Sequence, residues 1–337
     1  MAGLLETNIP ALVVTVSIIV SGIFIGLGRA TGYKNIERFG FEEFTQGLIN
    51  AALFGSAVVL IATAQEIGRN SITAQCLIGA APIDEIVCIL QQQLIPASGL
   101  LLGEINRVLS ILGYYQTLNL NFGAFSIQPL TNLESTSHVL GSQLGSLEMT
   151  ALLLYVNLFI VQFISQHALE LFFSIGLVFR MFFATRKFGG FLIALSLGLY
   201  LIYPSFILAF NSPDHPLEER ITSAYSEAHN FTNNTAYATV PIVDLNDNYA
   251  IAQRIDYLSG RGHADNSTNE TNQTIILPPS VDLTSDTTTM MQANAAAISD
   301  LYIAAIIAPI FSLILTIVFI KELGNILGGE ISIFSLV

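Results

Sequence analysis

The sequence predicts an all-α integral membrane protein that crosses the bilayer several times. Three observations carry that prediction. Over 337 residues the mean hydropathy is +0.63, with 52% hydrophobic and only 11% charged residues, whereas soluble domains carry about a quarter charged. Uncharged runs at 7–28, 44–65, 149–169, 188–213 and 301–320 each approach the ~20 residues that an α-helix needs to span the hydrocarbon layer. Finally, all five Asn-x-Ser/Thr sequons of the chain fall between residues 230 and 274, in a polar stretch held between two of the apolar runs. A transmembrane β-barrel would instead show ~10-residue alternating segments.

The first span starts within ten residues of Met1. No basic segment precedes it and no small-residue cleavage site follows it, so it reads as a retained span rather than a signal peptide. Two arguments orient it. N-glycosylation occurs on the outer side of a membrane, so the sequons at Asn230, Asn233, Asn266, Asn269 and Asn272 put 211–297 outside. Independently, Arg29, Lys34, Arg38, Arg180, Arg186, Lys187 and Lys321 gather in the short connections after the first, third and last spans. By the positive-inside rule those connections are cytoplasmic. Both arguments place the N-terminus outside and the C-terminus inside at the plasma membrane, which requires an odd number of spans.

Five is the expected count, and the chain divides accordingly. Residues 1–65 form two spans with a cytoplasmic turn. Residues 66–147 are read as an external helical subdomain, in part resting on the membrane. Residues 148–210 carry two further spans around a basic turn, 211–297 the glycosylated outer loop, and 298–337 the last span and a short tail. The alternative takes 94–115 across the membrane and splits 149–183 near Ser165-Gln166-His167, giving seven. The external reading is preferred because Glu104 and Arg107, three apart and able to pair on one helix face, are expensive inside the hydrocarbon. The chain's two cysteines, Cys76 and Cys88, lie in that segment, where a disulfide around Pro82-Ile83-Asp84 suits the oxidising side; two buried free thiols are the alternative.

In the outer loop, between residues 211 and 300, twelve Asp/Glu stand against three Arg, a net of −9 out of −13 for the whole chain. That is a solvated acidic surface, with no basic footprint for nucleic acid. The pieces 217–229 and 243–258 are expected to pack, 265–273 to be a glycosylated tract, and 284–292 to begin the last helix early with Met290 and Met291 against apolar neighbours. Asp244-x-Asn246-x-Asn248 matches three positions of a calcium loop. Tyr249 replaces the required glycine and Ile255 the bidentate glutamate, so turn chemistry is the better reading.

No hydrolase elbow, phosphate loop, dinucleotide fingerprint or zinc-protease motif is present, and the sequence points to no catalytic residue, cofactor or metal. His167 and Glu170 are the strongest intramembrane polar pair. They are expected on one helix face, serving helix or subunit packing in preference to a proton or metal site. Small residues recur as Gly22, Gly26 and Gly28, then as Gly47-x3-Ala51-x3-Gly55, a face suited to close helix packing within the chain or between copies. The basic turn at 180–187 reads as a topology anchor among anionic headgroups, and Gly189-Gly190 as a tight turn or a close helix contact.

The run Arg180…Thr185-Arg186-Lys187-x-Gly189-Gly190-Phe-Leu-Ile-Ala194…Gly198…Tyr203-Pro204 and the tail Lys321-Glu322-Leu323…Leu327-Gly328-Gly329-Glu330-Ile331 resemble archaeal multispanning membrane proteins. Some of these are similar to the membrane channel component of archaeal DNA-import machinery, akin to conjugative type IV secretion systems. The resemblance implies a homo-oligomeric channel or platform in lipid, with a secretion-type ATPase and pilus subunits as partners, and it transfers no functional residues. A glycosylated surface receptor or scaffold, and an ion-coupled transporter, are the competing expectations.

Overall fold

A computed structural model of the chain describes residues 9–71, 76, 81–121, 124–128, 130–131, 133–182, 185–210, 217–233, 249, 251–252, 255 and 283–327. These are almost wholly helical, and six helices are long and apolar enough to cross a membrane: Pro10–Thr31, Lys34–Thr63, Pro82–Gln116, Leu133–Met181, Arg186–Phe210 and Ser285–Ile326. Three of them overshoot. At 1.5 Å per residue, the 49 residues of Leu133–Met181 run about 73 Å, more than twice the ~30 Å hydrocarbon layer. The third and sixth, at 35 and 42 residues, are likewise longer than a single crossing needs. The chain folds as two compact units: 1–93 with 154–214 and 303–337, and 94–153 with 215–302.

In the first unit, α1 (Ile9–Thr31) and α2 (Lys34–Ser71) form an antiparallel hairpin. The reversal takes two residues, Gly32 and Tyr33, because Gly32 adopts φ 71°, a left-handed conformation that ends a helix without Cβ strain. The second helix thus begins ten residues before the uncharged run at 44–65. Two of its early charges are matched: Arg29 Nε donates to Glu37 Oε1 at 3.0 Å, and Arg186 Nη2 to Glu43 Oε1 at 3.3 Å. The hairpin closes to backbone contact. A Cβ on Gly28 would lie 2.4 Å from Glu37 N, and one on Gly40 2.7 Å from Ile25 N. Gly47 sits against Ser17 and Ile18, whereas Gly22, Gly26 and Gly55 have nothing within 4 Å. The expected small-residue face is therefore used in part inside the chain and left open in part.

Short α3 (Pro82–Cys88) packs on α8 (Tyr203–Phe210) and is nearly all buried. Residues 82–93 belong to the first compact unit. The hairpin of α6 (Ser174–Met181) and α7 (Arg186–Leu197) is also at backbone contact, since a Cβ on Gly189 would meet Arg180 N at 2.5 Å and Gly176 O at 2.6 Å. Around it a core gathers Val14, Ala57, Phe173, Leu177, Ile193, Leu197 and Ile320.

Among the described residues four π-helical stretches interrupt the long helices: Ile89–Leu94, Ala168–Phe173, Gly198–Ile202 and Ile303–Ile307. Three of them end two residues before a proline, at Pro96, Pro204 and Pro309. Proline lacks an N–H and crowds the carbonyl four residues back, and widening the preceding turn relieves that crowding. The carbonyl four before Pro309 is that of Ala305, and Asn157 Nδ2 donates to it at 2.8 Å, which supplies the missing donor from a neighbouring helix. The fourth stretch has no proline. There the Ser196 hydroxyl, fully buried, donates to Ala168 O at 2.6 Å. The chain does not turn at 165–167; α5 (Leu133–His167) passes through this stretch into α6.

In the second unit, α4 (Ile95–Gln116), the start of α5, α9 (Leu217–Asn233) and α10 (Leu283–Tyr302) join a two-stranded antiparallel ribbon, β1 (Leu120–Asn121) with β2 (Ser126–Ile127). Buried Leu101, Ile105, Val108 and Leu112 on α4 and Ile221, Ala224, Ala228 and Phe231 on α9 keep the 3–4 spacing that lines one helix face. On α10, Met290 is 1% exposed, as the sequence anticipates. Along α5, Leu133, Leu140, Leu147, Leu154 and Val161 are buried at seven-residue intervals, which is the repeat of a coiled-coil seam. Gln143 and Asn157, two heptads apart on that helix, donate to Met291 O and Ala305 O, one contact in each unit, both across a separation of 148 residues. Helix α11 (Ala308–Ile326) is the last helix among the described residues and belongs to the first unit.

Candidate functional sites

The basic residues flanking two chain turns find their partners at one end of the first unit. Arg186 of the 182–185 turn reaches Glu43 on α2, and Arg29 pairs with Glu37 beside the α1–α2 turn. Arg180, 7% exposed, donates from Nη1 to the carbonyl of Leu327 at 3.0 Å. Leu327 is the C-cap of α11, so the guanidinium satisfies an orphan carbonyl and opposes the negative end of the helix dipole. The paired glycines explain how it fits. Gly189 lets Arg180's backbone approach α7, and a Cβ on Gly190 would lie 3.0 Å from Leu327 O and 3.4 Å from Arg180 Nη1. Gly189-Gly190 serves close helix contact; the turn itself is made before them.

At the far end of the Arg186–Phe210 helix, about 37 Å of chain away at 1.5 Å per residue, α3 packs on α8. Cys76 and Cys88 are joined there as a disulfide with Cα atoms 5.9 Å apart, the bridge expected from sequence. The Cys76 N–H donates to Glu85 Oε1 at 2.9 Å, which gives a partner to a carboxylate that is only 4% exposed. Ser165 Oγ donates to Asp84 Oδ1 at 3.2 Å. Both carboxylates of this short helix therefore have hydrogen-bond donors, as burial requires.

A polar cluster in the second unit centres on Glu104. Glu104, 4% exposed, accepts from Arg107 Nη1 at 3.1 Å, the pair expected at i,i+3. Two further partners come from α9: His229 Nδ1 lies 3.0 Å from Glu104 Oε1, and Thr232 Oγ1 donates to Oε2 at 3.0 Å. Asn233 Nδ2 is 2.7 Å from His229 Nε2. Tyr225 stacks on the imidazole with centroids 5.3 Å apart. Both carboxylate oxygens are engaged, and the group works as a polar clasp between α4 and α9.

Sequence reasoning missed His229 and Thr232 as partners of Glu104. The signal was present: Glu104 stands inside the apolar stripe of Leu101, Ile105 and Val108, and a carboxylate on a core face needs buried partners. The pair at His167 and Glu170 is not brought together. The π-helical stretch begins between them, so three residues no longer complete the α-helical turn that would align them. Both side chains are exposed, and His167 instead meets the Phe163 ring edge-on at 4.9 Å. Of the sequons, Asn230 and Asn233 are exposed on α9; Asn266, Asn269 and Asn272 lie outside the described residues, as do Asp244, Asn246 and Asn248. Among the described residues no group of three His, Cys, Asp or Glu converges as metal ligands would.

No family model matches this chain, and no curated protein or solved structure matches it.

Proposed function

We propose that this chain is a non-enzymatic membrane component of a cell-envelope transport or secretion machine of the DNA-transfer type, acting as a channel or platform built from several copies. The observation that carries the reading is the open half of the small-residue face. A Cβ added to Gly22 or Gly26 of α1, or to Gly55 of α2, would meet nothing within 4 Å beyond the adjoining turns of its own helix, although Gly28, Gly40 and Gly47 on the same two helices are used in the hairpin. In lipid, where apolar burial gives little drive to association, such faces let helices approach for dispersion contact. Large apolar side chains flank the opening, among them Ile19, Ile23 and Val59, all exposed.

The orientation is N-terminus outside and C-terminus in the cytoplasm, at the plasma membrane. Clustering of the basic turns at one end of the first unit supports it, because the positive-inside rule then applies to that end as a whole. The disulfide at the other end of the Arg186–Phe210 helix suits the oxidising side. In this topology five helices cross, 82–93 stays at the outer side under its disulfide, and 94–153 and 215–302 are external with their glycans. The exposed, separated His167 and Glu170 lend no support to an ion-coupled transporter.

The test is mass in mild detergent. The wild-type protein is expected as an oligomer, and G22L/G26L as a monomer of unchanged melting temperature. A strictly monomeric wild type with no co-purifying ATPase or filament subunit overturns the proposal. Protease added to intact cells is expected to cut within 211–297 and spare 29–43; the reverse pattern overturns the orientation.

A further inference from the structure

The three residues of the Asn230 sequon differ sharply in exposure in the folded second unit. Asn230 is exposed on the last turns of α9, so a sugar on its amide nitrogen would project into solvent. The rest of its sequon is closed. Phe231 is 5% exposed and Thr232 7% exposed. The Thr232 hydroxyl, which a transferase must engage to recognise Asn-x-Thr, already donates to Glu104 Oε2 at 3.0 Å and lies 3.1 Å from His229 O. All three residues are helical within Leu217–Asn233, whereas reading a three-residue sequon requires both the asparagine and the hydroxyl two positions on to face the enzyme together. In a helix, residues two apart point about 200° from one another. Burial, helicity and the hydroxyl's engagement therefore act in the same direction.

We propose that Asn230 is a modification site used only before the second unit folds, so that closing Thr232 onto Glu104 ends its accessibility. The step joins the asparagine amide nitrogen to the anomeric carbon of a lipid-linked oligosaccharide. The lipid phosphate leaves and the amide loses one proton. The remaining amide proton keeps the side chain neutral, and nothing in the Glu104 cluster has to be rearranged, because Asn230 itself is not among its partners. Thr232 is thus used twice, first as the recognition element of the sequon and then as the hydroxyl that satisfies a buried carboxylate. This inference uses the outward placement of the second unit and is independent of the transport reading.

The experiment measures occupancy at Asn230 by glycopeptide mass spectrometry under three conditions. Protein from its own cells is expected to carry glycan at Asn230. Protein made without glycan in a host lacking the transferase, purified folded and then incubated with the native host's membranes and lipid-linked oligosaccharide, is expected to gain at least tenfold less at Asn230 than a synthetic 225–237 peptide treated alike. E104A, which frees the Thr232 hydroxyl, is expected to raise acceptance by the folded protein severalfold, provided circular dichroism shows α-helix content retained. T232S, which keeps both sequon and hydroxyl, is expected to behave as wild type. Acceptance by folded wild type equal to the peptide overturns the proposal. So does an unmodified Asn230 in protein from its own cells, or a peptide that is not accepted at all. A receptor, a transporter and a channel predict the same result, so failure here leaves the proposed function standing and failure of the oligomer test leaves this inference standing.

Discussion

Arg180 in the first unit and Glu104 in the second are both almost fully buried charges, and the fold handles them in opposite ways. Glu104 is surrounded by side chains: a guanidinium, an imidazole and a hydroxyl, two of them from a helix more than a hundred residues away. Among the described residues no carboxylate pairs with the Arg180 guanidinium. Its hydrogen bond goes to a backbone carbonyl at the end of α11, and its Nε is buried with no partner among them. The difference teaches how each unit is held. In the second unit helices are joined by side-chain chemistry across an apolar core. In the first they approach so closely, through Gly28, Gly40, Gly176 and Gly189, that backbone meets backbone and a helix terminus becomes the counter-group.

The largest effect should come from breaking that close approach. Gly189→Ala places a methyl 2.5 Å from a backbone nitrogen that cannot rotate away, and we expect about 3 kcal/mol of destabilisation, at the upper end for overpacking. A thermal scan in detergent measures it. Gly141→Ala is the control: its Cβ meets nothing within 4 Å, so relief of glycine's backbone entropy should stabilise by about 0.5–1 kcal/mol. Equal losses at both positions would dissolve the distinction between the units.

Removing the clasp comes next. Glu104→Ala deletes the acceptor for His229, Thr232 and Arg107, and a loss of about 2–3 kcal/mol is expected from charge-assisted hydrogen bonds of this kind. Because Arg107 is 68% exposed and His229 39% exposed, both can find water, which keeps the loss below that for a fully buried pair. A change under ~0.5 kcal/mol would mean the cluster is incidental. Cys76→Ser with Cys88→Ser opens a loop of 12 residues, with an expected loss of about 2–3 kcal/mol on the chain-entropy scale. It should leave the α6–α7 contact intact, read as unchanged protection of 176–193 in hydrogen exchange.

The smallest effect sharpens the comparison most. Arg180→Met keeps the packed stem and removes the charge, so we expect only about 1–2 kcal/mol, the worth of one charge-assisted bond set against the relief of desolvating a cation. Arg180→Ala should lose more than Met, through the missing stem. If Met proved as damaging as Glu104→Ala, Arg180 would have to be held by more than the Leu327 carbonyl.

The sequence by itself determined the class of the fold. Apolar runs of bilayer length, the basic residues between them and the confinement of the sequons to one stretch are properties of composition along a line, and lipid reads them as such. Local chemistry was legible for the same reason: the Glu104–Arg107 pair, the Cys76–Cys88 bridge over twelve residues, and the early start of the last helix at Leu283 all depend on short separations. The heptad of α5 was legible in principle but hidden, because hydropathy cuts that helix at 149 while its seam runs from Leu133 to Val161. Only the tertiary structure decided the rest. Whether a carboxylate is clasped, which glycines are filled and which stay open, that Asn157 serves the carbonyl Pro309 orphans, and that π-helical widening separates His167 from Glu170 all turn on which residues distant in sequence arrive at the same place. No spacing along the chain encodes that meeting, because the hydrogen bonds and clashes that select it exist only once the helices have packed.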